Sequence, residues 1–425
     1  MSMARRCPGC DLSIMPHAAP RGKSAYCPRC STRLYRGGKC RFNGELAIAF
    51  ACLILFVPTH IFPLITIRLF GVMIPATLPS GTFSLASEFP AVAFLILFCS
   101  SIAPLLVSLS VLGAQLALKV KNFRLLKSSL WVITHLKHWA MYDVFLVSLA
   151  ISCFKVQDYA DIYVGPGLYC LVILQVLMSL LITRVSPNRY WESWQPEKDH
   201  PTFKTLRPLA GERAKSDNEC TNPLNNQLQT LEEIHCETCH MTQAYSSHCI
   251  RCDSPLHHRK PRSIQRTWAF LIAATVFIFP ANLYPISIFL NNGKRAEDTI
   301  FSGVAHLVKT DMTGIAIIIF VASIVVPVAK ILGMAYILIC IQFKRRVYHK
   351  QRMHAFRVIQ WVGKWSVMDL FVISIMVTLI DRGQILDFTP GPGAIAFGVV
   401  VVLTMLAVEN LDSRLIWDNY EQRTK

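Results

Sequence analysis

The chain is short of charge, and of acid above all. Asp, Glu, Lys and Arg make up 16% of its 425 residues, against about 25% in an ordinary soluble protein. Only 26 acids stand against 43 Lys and Arg. It lacks GxxxxGK(S/T), which excludes a P-loop ATPase, and it lacks both the GxSxG nucleophile elbow and HExxH. His60, Ser84 and the serines scattered through the apolar blocks form no triad spacing, so nothing in the sequence argues for an enzyme. No apolar h-region precedes residue 45, so we expect no cleaved signal peptide and a first span that serves as the insertion signal and stays in place.

What fills the space left by charge is apolar: 53% of residues, with a mean hydropathy of +0.40. The excess lies in eight blocks long enough to cross a bilayer, at about 45–67, 89–118, 139–155, 166–184, 267–290, 312–341, 365–380 and 392–411. The second and sixth exceed what a span needs, which points to tilt or an extension, and each holds a proline, Pro104 and Pro327. The net charge of +17 is distributed by topology. Segment 119–137 carries Lys119, Lys121, Arg124, Lys127 and Lys137 with no acid, and 342–364 carries seven Lys or Arg with none. The alternate loops 68–90, 155–165, 291–311 and 381–391 hold six Lys or Arg against eight acids. This is the positive-inside pattern, placing both termini in the cytoplasm of a multi-pass inner-membrane protein and leaving the charge no nucleic-acid role. Contacts with anionic headgroups fit the same loops.

The chain also repeats itself. Pro58-Thr-His-Ile-Phe-Pro63 matches Pro280-Ala-Asn-Leu-Tyr-Pro285, Trp139-Ala-Met-Tyr-Asp143-Val-Phe matches Trp365-Ser-Val-Met-Asp369-Leu-Phe, and Gly165-Pro-Gly167 matches Gly391-Pro-Gly393. Four spans separate matched elements, so the two copies insert in the same orientation. The expected architecture is an all-α polytopic membrane protein with eight transmembrane helices in two parallel four-helix repeats. The boundaries are a zinc module at 1–44, a membrane unit at 45–190, a linker at 191–233, a second zinc module at 234–262, a second membrane unit at 263–415 and a tail at 416–425. The paired prolines are expected to break the first helix of each unit near its far end.

The modules rest on cysteine spacing. Cys7, Cys10, Cys27 and Cys30 form CxxC-x16-CxxC, and Cys236, Cys239, Cys249 and Cys252 form CxxC-x9-CxxC. Two such pairs place four thiolates around one ion, and a segment this small needs the metal to fold. Four protein ligands leave no open position, so both sites read as structural. The spacing serves zinc in a zinc ribbon and iron in a rubredoxin-like knuckle alike. A redox dithiol is the competing reading, disfavoured by two matched quartets in a reducing compartment. His235, His240 and His248 flank the second quartet without being needed to complete it, and the other seven cysteines read as small apolar residues.

Ionisable groups inside spans are costly and therefore informative. Lys330 lies within the sixth span and Asp369 early in the seventh; Ser323 shares a helical face with Lys330, and Ser366 one with Asp369. Lys330, Asp369 and Thr404 lie at depths that let them meet in the inner half of the bilayer. The first copy keeps Asp143 but has Val107, Ala140 and Met178 where the second has Lys330, Ser366 and Thr404. Two readings stand: a Lys330–Asp369 pair that fixes helix packing, or a site for substrate passage or proton coupling, with the first unit mainly scaffold.

These quartets, the PxxxxP spans, the W-x3-D-(V/L)-F motifs and the GPG loops together make the chain resemble the paraquat-inducible protein A family of proteobacterial inner-membrane proteins, over nearly its whole length. The resemblance implies a component of an inner-to-outer membrane lipid transport system. Such a component loads or receives phospholipid at the base of a periplasmic MCE-domain tunnel protein that has its own membrane anchor. It also implies zinc at both quartets, and a polar site made by Lys330, Asp369, Ser323, Ser366 and Thr404. An ion-coupled exporter of small lipophilic compounds, or a membrane thiol oxidoreductase using the CxxC pairs, are the alternatives from other classes.

Overall fold

The computed structural model describes residues 5–15, 20, 23–37, 42–69, 72–86, 89–156, 161–194, 233–244, 246–291, 294–309, 313–345, 348–380 and 386–418. Residues 195–232 of the expected linker at 191–233, and most of the tail at 416–425, therefore lie outside the described residues. Among the described residues seven stretches of helix are long and apolar enough to cross a membrane: Asn43–Ile61, Pro90–Val120, Pro166–Arg184, Ser263–Leu283, Ala316–Gln342, His349–Val377 and Pro392–Asn410. The expected third span is the helix Tyr142–Val156, which at 15 residues is shorter than these. The protein is a mostly helical, multi-pass membrane protein.

One order of elements occurs twice. Helix α1 (Asn43–Ile61) leads into the hairpin β5 (Ile65–Leu69)–β6 (Val72–Ala76) and the short α2 (Ser80–Ala86). A long helix follows, α3 (Pro90–Leu97) running through a π turn into α4 (Ala103–Val120); then come α5 (Phe123–Leu136), α6 (Tyr142–Val156), β7 (Asp161–Val164), α7 (Pro166–Arg184) and α8 (Pro187–Ser193). The second round begins with α9 (Ser263–Leu283), β10 (Ser287–Asn291), β11 (Lys294–Asp298) and α10 (Ile300–Lys309). It continues with α11 (Thr313–Phe320), a π turn, α12 (Val326–Gln342), α13 (His349–Val362), α14 (Met368–Ile380), β12 (Leu386–Pro390) and α15 (Pro392–Asn410).

Helix α1 turns small or polar residues inward and large apolar ones outward, the reverse of a soluble core. On α1, Glu45, Ala49, Cys52 and Thr59 are buried while Phe50, Ile54, Val57 and Ile61 are exposed. Close helix approach in lipid needs that inversion. α1 packs on α7, and α9 on α15.

The loops expected at 68–90, 155–165, 291–311 and 381–391 are not simple loops. β5 pairs with both β6 and β7, and β10 with both β11 and β12, giving two three-stranded antiparallel sheets. The basic segments are helices as well. Lys121 adopts a left-handed conformation (φ 57°), turning the chain so that α5 folds back along α4, with Asn122 capping α5 through Leu125 N–H. The surplus length of the second span is thus the support for α5, and α12 carries α13 in the same way.

The repeated motifs turn out to be joints. Each proline pair lets the helix run through the first member and ends it before the second. α1 passes Pro58 and stops at Phe62, whose extended backbone (ψ 145°) is what a residue before proline prefers. The first helix of each unit is thus interrupted at the second proline of its pair and not at the first. Pro63 O then accepts from Gly167 N–H and Leu64 O from Gly165 N–H, both at 3.0 Å; Pro285 O and Ile286 O accept from Gly393 and Gly391 in the same way. A Cβ on Gly165 or Gly391 would lie 2.1 Å from that proline carbonyl oxygen. The PxxxxP and GPG motifs are therefore two halves of one backbone contact that no side chain can enter.

Pro104 and Pro327 each follow a π turn, in which Ala103 N–H reaches Phe98 O and Val326 N–H reaches Val321 O, five residues back. A proline removes one helical hydrogen bond and crowds the preceding turn, and widening that turn relieves both. The W-x3-D-(V/L)-F motif pairs with its own copy across the two rounds. Phe145 of α6 meets Phe371 of α14 edge-on at 5.4 Å, and Ser148 Oγ donates to Met368 O at 3.0 Å.

Candidate metal centres and a buried polar site

Three of the four CxxC turns sit at the tip of a hairpin: β1 (Arg5–Arg6) with β2 (Ser13–Ile14), β3 (Ser24–Tyr26) with β4 (Arg33–Arg36), and β8 (Glu233–His235) with β9 (Thr242–Ala244). The fourth is closed by a bridge between His248 and Pro255. All four share one backbone device. The residue after the second cysteine, Asp11, Ser31, His240 or Asp253, has φ between 51° and 60°. Its N–H returns to the carbonyl of the first cysteine, and the first cysteine's N–H reaches a carbonyl five residues on. That closed turn aims both thiols to the same side.

Within each quartet the ligand atoms all lie within 4.8 Å of one another and all four cysteines are buried. Neighbouring sulfurs stand 3.5 Å (Cys7–Cys30), 3.6 Å (Cys10–Cys27), 3.5 Å (Cys236–Cys252) and 3.5 Å (Cys239–Cys249) apart. A disulfide needs about 2.05 Å, whereas a tetrahedron with metal–sulfur bonds of about 2.3 Å has edges of about 3.8 Å. The donor set fits one ion per quartet with no position left for substrate.

The modules dock crosswise. The first quartet joins the apolar cluster of α9, α12, α13 and Trp417, in the second round of helices. Arg357 of α13 donates to Cys30 O and Thr32 Oγ1, both at 2.6 Å, and Arg29 lies 4.9 Å over the Trp417 ring. The second quartet joins the cluster that includes α4 and α5, with Lys127 of α5 reaching Asp253 O at 3.3 Å. Arg6 N–H to Thr242 Oγ1 (3.3 Å) ties one module to the other.

A charged cluster after α15 locks the assembly. Arg414 holds Asp412 through two nitrogens (2.9 and 2.8 Å), also meets Glu237 beside the second quartet, and is buried together with Asp412. Arg259 bridges Asp11 (2.7 Å) and Asp418 (2.6 Å). Burial alone would raise the Asp412 carboxyl, but Arg414 and the backbone N–H groups of Arg414 and Lys260 outweigh it and hold it below the ordinary value. Burial, then the neighbouring His240 and Arg414, push His235 down to about 3, so this histidine is neutral.

Of the expected polar site, Lys330 and Ser366 meet directly. The Lys330 ammonium, 3% exposed, donates to Ser366 Oγ (3.3 Å) and Gly363 O (3.4 Å). The expected Lys330–Asp369 pair is not formed. Lys330 reaches the turn at Gly363–Val367, while Asp369 lies beyond that turn, lining a separate cavity of about 90 Å³ with Asp298, Thr299 and Ile300. Ser323 Oγ is buried in the second π turn with no hydrogen-bond partner among the described residues, and Thr404 Oγ1 donates to Val401 O of its own helix. The elements carrying all five residues pack against one another, so the groups are neighbours rather than one hydrogen-bonded network.

Two polar clusters escaped the sequence reading. His60 Nε2 lies 2.9 Å from Ser101 Oγ in the first π turn, and Tyr190 OH donates to buried Glu45 at 2.7 Å. A histidine beside a PxxxxP proline was the only available signal for the first; nothing in the sequence links Glu45 to Tyr190.

Comparison with known proteins agrees with the repeat motifs. The family model for paraquat-inducible protein A matches residues 42–195 and again 264–421. Lipophilic envelope-spanning tunnel protein A of Escherichia coli is 36% identical over 98% of this chain and 92% of its own length. A probable intermembrane transport protein of Haemophilus influenzae is 34% identical over 98% of this chain and 96% of its own. Intermembrane transport protein PqiA of E. coli is 29% identical, covering 97% and 95%. No solved structure matches. With both matched stretches coinciding with the two rounds of helices described above, the chain belongs to the paraquat-inducible protein A family.

Proposed function

We propose that the chain is the inner-membrane component of an intermembrane lipid transport system, handing phospholipid to or from an MCE-domain tunnel protein in the periplasm. In this reading eight helices span the membrane as two parallel four-helix repeats, α6 being the shortest. The quartets and basic helices face the cytoplasm and the two sheets face the periplasm. Each quartet holds zinc, which supplies folding energy and carries no chemistry. Relatives named for intermembrane transport and for an envelope-spanning tunnel support the assignment, as do the small sheets at one end, which offer edges to a partner.

The observation that carries it is Lys330, a buried cation on an apolar helix whose two partners are both uncharged. Packing alone gives no return for that cost. Lys330 and Asp369 face different cavities from the same packed core, an arrangement suited to passing a proton or a headgroup between the two sides, with Ser323, Ser366 and Thr404 between. Exchange of labelled phospholipid between inner- and outer-membrane fractions tests this in cells carrying Asp369→Asn or Lys330→Ala. Exchange should fall to the level of cells lacking the chain while its abundance is unchanged. Abundance falling in step with exchange would assign both residues to packing.

A further inference from the structure

Where the two rounds of helices meet there is a cavity of about 410 Å³, within the roughly 300–1,000 Å³ range of small-molecule sites. Lys330 reaches it from α12 and Lys137 from the end of α5; Asp143 and Glu409 line it too. The Lys137 ammonium has no hydrogen-bond or ion-pair partner among the described residues and Lys330 meets only uncharged groups, while Asp143 is engaged elsewhere and Glu409 accepts from Trp139. Arg357, also at the wall, spends one nitrogen on the first quartet. Two ammonium groups in one cavity without a bonded anion favour an anionic ligand.

The apolar part of the wall has an origin in the repeat. Ala140 and Met178 line this cavity at the positions where the second copy has Ser366 and Thr404. Where the second unit carries hydroxyls, the first thus offers this cavity an apolar face. The cavity is bordered by Ser179 and Thr183 on the exposed face of α7 and by Trp361 of α13, whose side chain is 65% exposed. An exposed indole beside a cationic helix is what an interfacial anchor looks like.

We propose that this cavity is a lateral entry site for a zwitterionic glycerophospholipid headgroup. The phosphate lies at Lys137 and Lys330, the headgroup ammonium at the Glu409 carboxylate, which also accepts from Trp139, and the acyl chains leave between α7 and α13. The assignment rests on the lipid-transport reading and adds where the lipid enters and which headgroup it carries. It also gives the first unit a part in the site.

Native mass spectrometry of the purified full chain in mild detergent tests it, titrating phosphatidylethanolamine, phosphatidylglycerol and inorganic phosphate. We expect phosphatidylethanolamine to bind more tightly than phosphatidylglycerol, and Lys137→Glu to weaken it at least tenfold. Ser179→Trp, at an exposed position that folding tolerates, should block the mouth with the same effect. Unchanged lipid affinity in Ser179→Trp, or in a Lys137→Glu protein with wild-type melting, would overturn the entry site. Equal or tighter binding of phosphatidylglycerol would overturn the headgroup assignment. Full competition by inorganic phosphate at equal concentration would make this a free-anion site. A chain that fails these tests but still captures lipid at Ser323 leaves the transport reading standing; a chain that binds here but exchanges no lipid refutes that reading alone.

Discussion

Replacing Gly391 by Ala probes the joint between the PxxxxP and GPG motifs. The new Cβ would sit 2.1 Å from Pro285 O and 2.8 Å from its carbonyl carbon, both backbone atoms that no rotamer change can move. Relief takes a backbone displacement of about 1 Å, which breaks the Gly391 N–H bond to Ile286 O (2.9 Å) and the adjacent Gly393 N–H bond to Pro285 O (3.0 Å). Each buried backbone group left unpaired costs about 1–3 kcal/mol, so the substitution should destabilise by about 3–5 kcal/mol. Gly303→Ala is the matched control. Nothing lies within 4 Å of its built Cβ, and it is helical, so alanine should be neutral or stabilising by up to about 1 kcal/mol. Thermal unfolding in detergent, followed by tryptophan fluorescence, reads both. Melting of Gly391→Ala within a degree of wild type would refute the joint.

Arg414→Ala should release the quartets from the helices, at a cost of about 3–5 kcal/mol for leaving buried Asp412 without its cation, seen as faster hydrogen exchange in residues 233–256. The depressed Asp412 carboxyl implies that its contribution is fully present above its ordinary value near 3.8 and is lost as pH falls through the lower folded-state value. The Asp412 share of an acid titration of module docking should therefore be flat from neutral to about pH 4, and Asp412→Asn should shrink the acid limb. Elemental analysis should find two metal ions per chain and one after Cys252→Ala, with zinc as the element; metal-free, active protein would sink the structural assignment. Cys52→Ala, at a cysteine outside both quartets, should leave the count at two.

The periodic and composition-driven parts of this structure were legible in advance, since span length, cysteine spacing and repeat motifs are all local. The contacts that give those motifs their purpose were not. Pro63 and Gly165 lie far apart in the chain and signal nothing to each other until β5 has paired with β7. The strands themselves are short and lie between apolar helices, so no alternation long enough to reveal a sheet exists. The crosswise docking of the quartets reverses the order in which modules and helices follow each other along the chain. It depends on Arg357, Lys127 and Arg414, which in the sequence are only three of many cations. Lys330 was identifiable because a charge in an apolar run is conspicuous, but its partner was misjudged. Depth along a helix says how far apart Lys330 and Asp369 lie along the membrane normal, not which way each side chain turns.

The most direct test of the central claim is capture of the cargo where Lys330 waits for it. A photoreactive amino acid replaces Ser323 in cells labelled with radioactive phosphate, and the chain is purified after illumination. A phospholipid adduct is expected that is strongly reduced by Asp369→Asn and absent when the label sits instead at exposed His257, beside the second quartet and outside the spans. A folded, abundant protein that captures no phospholipid at Ser323 would contradict it.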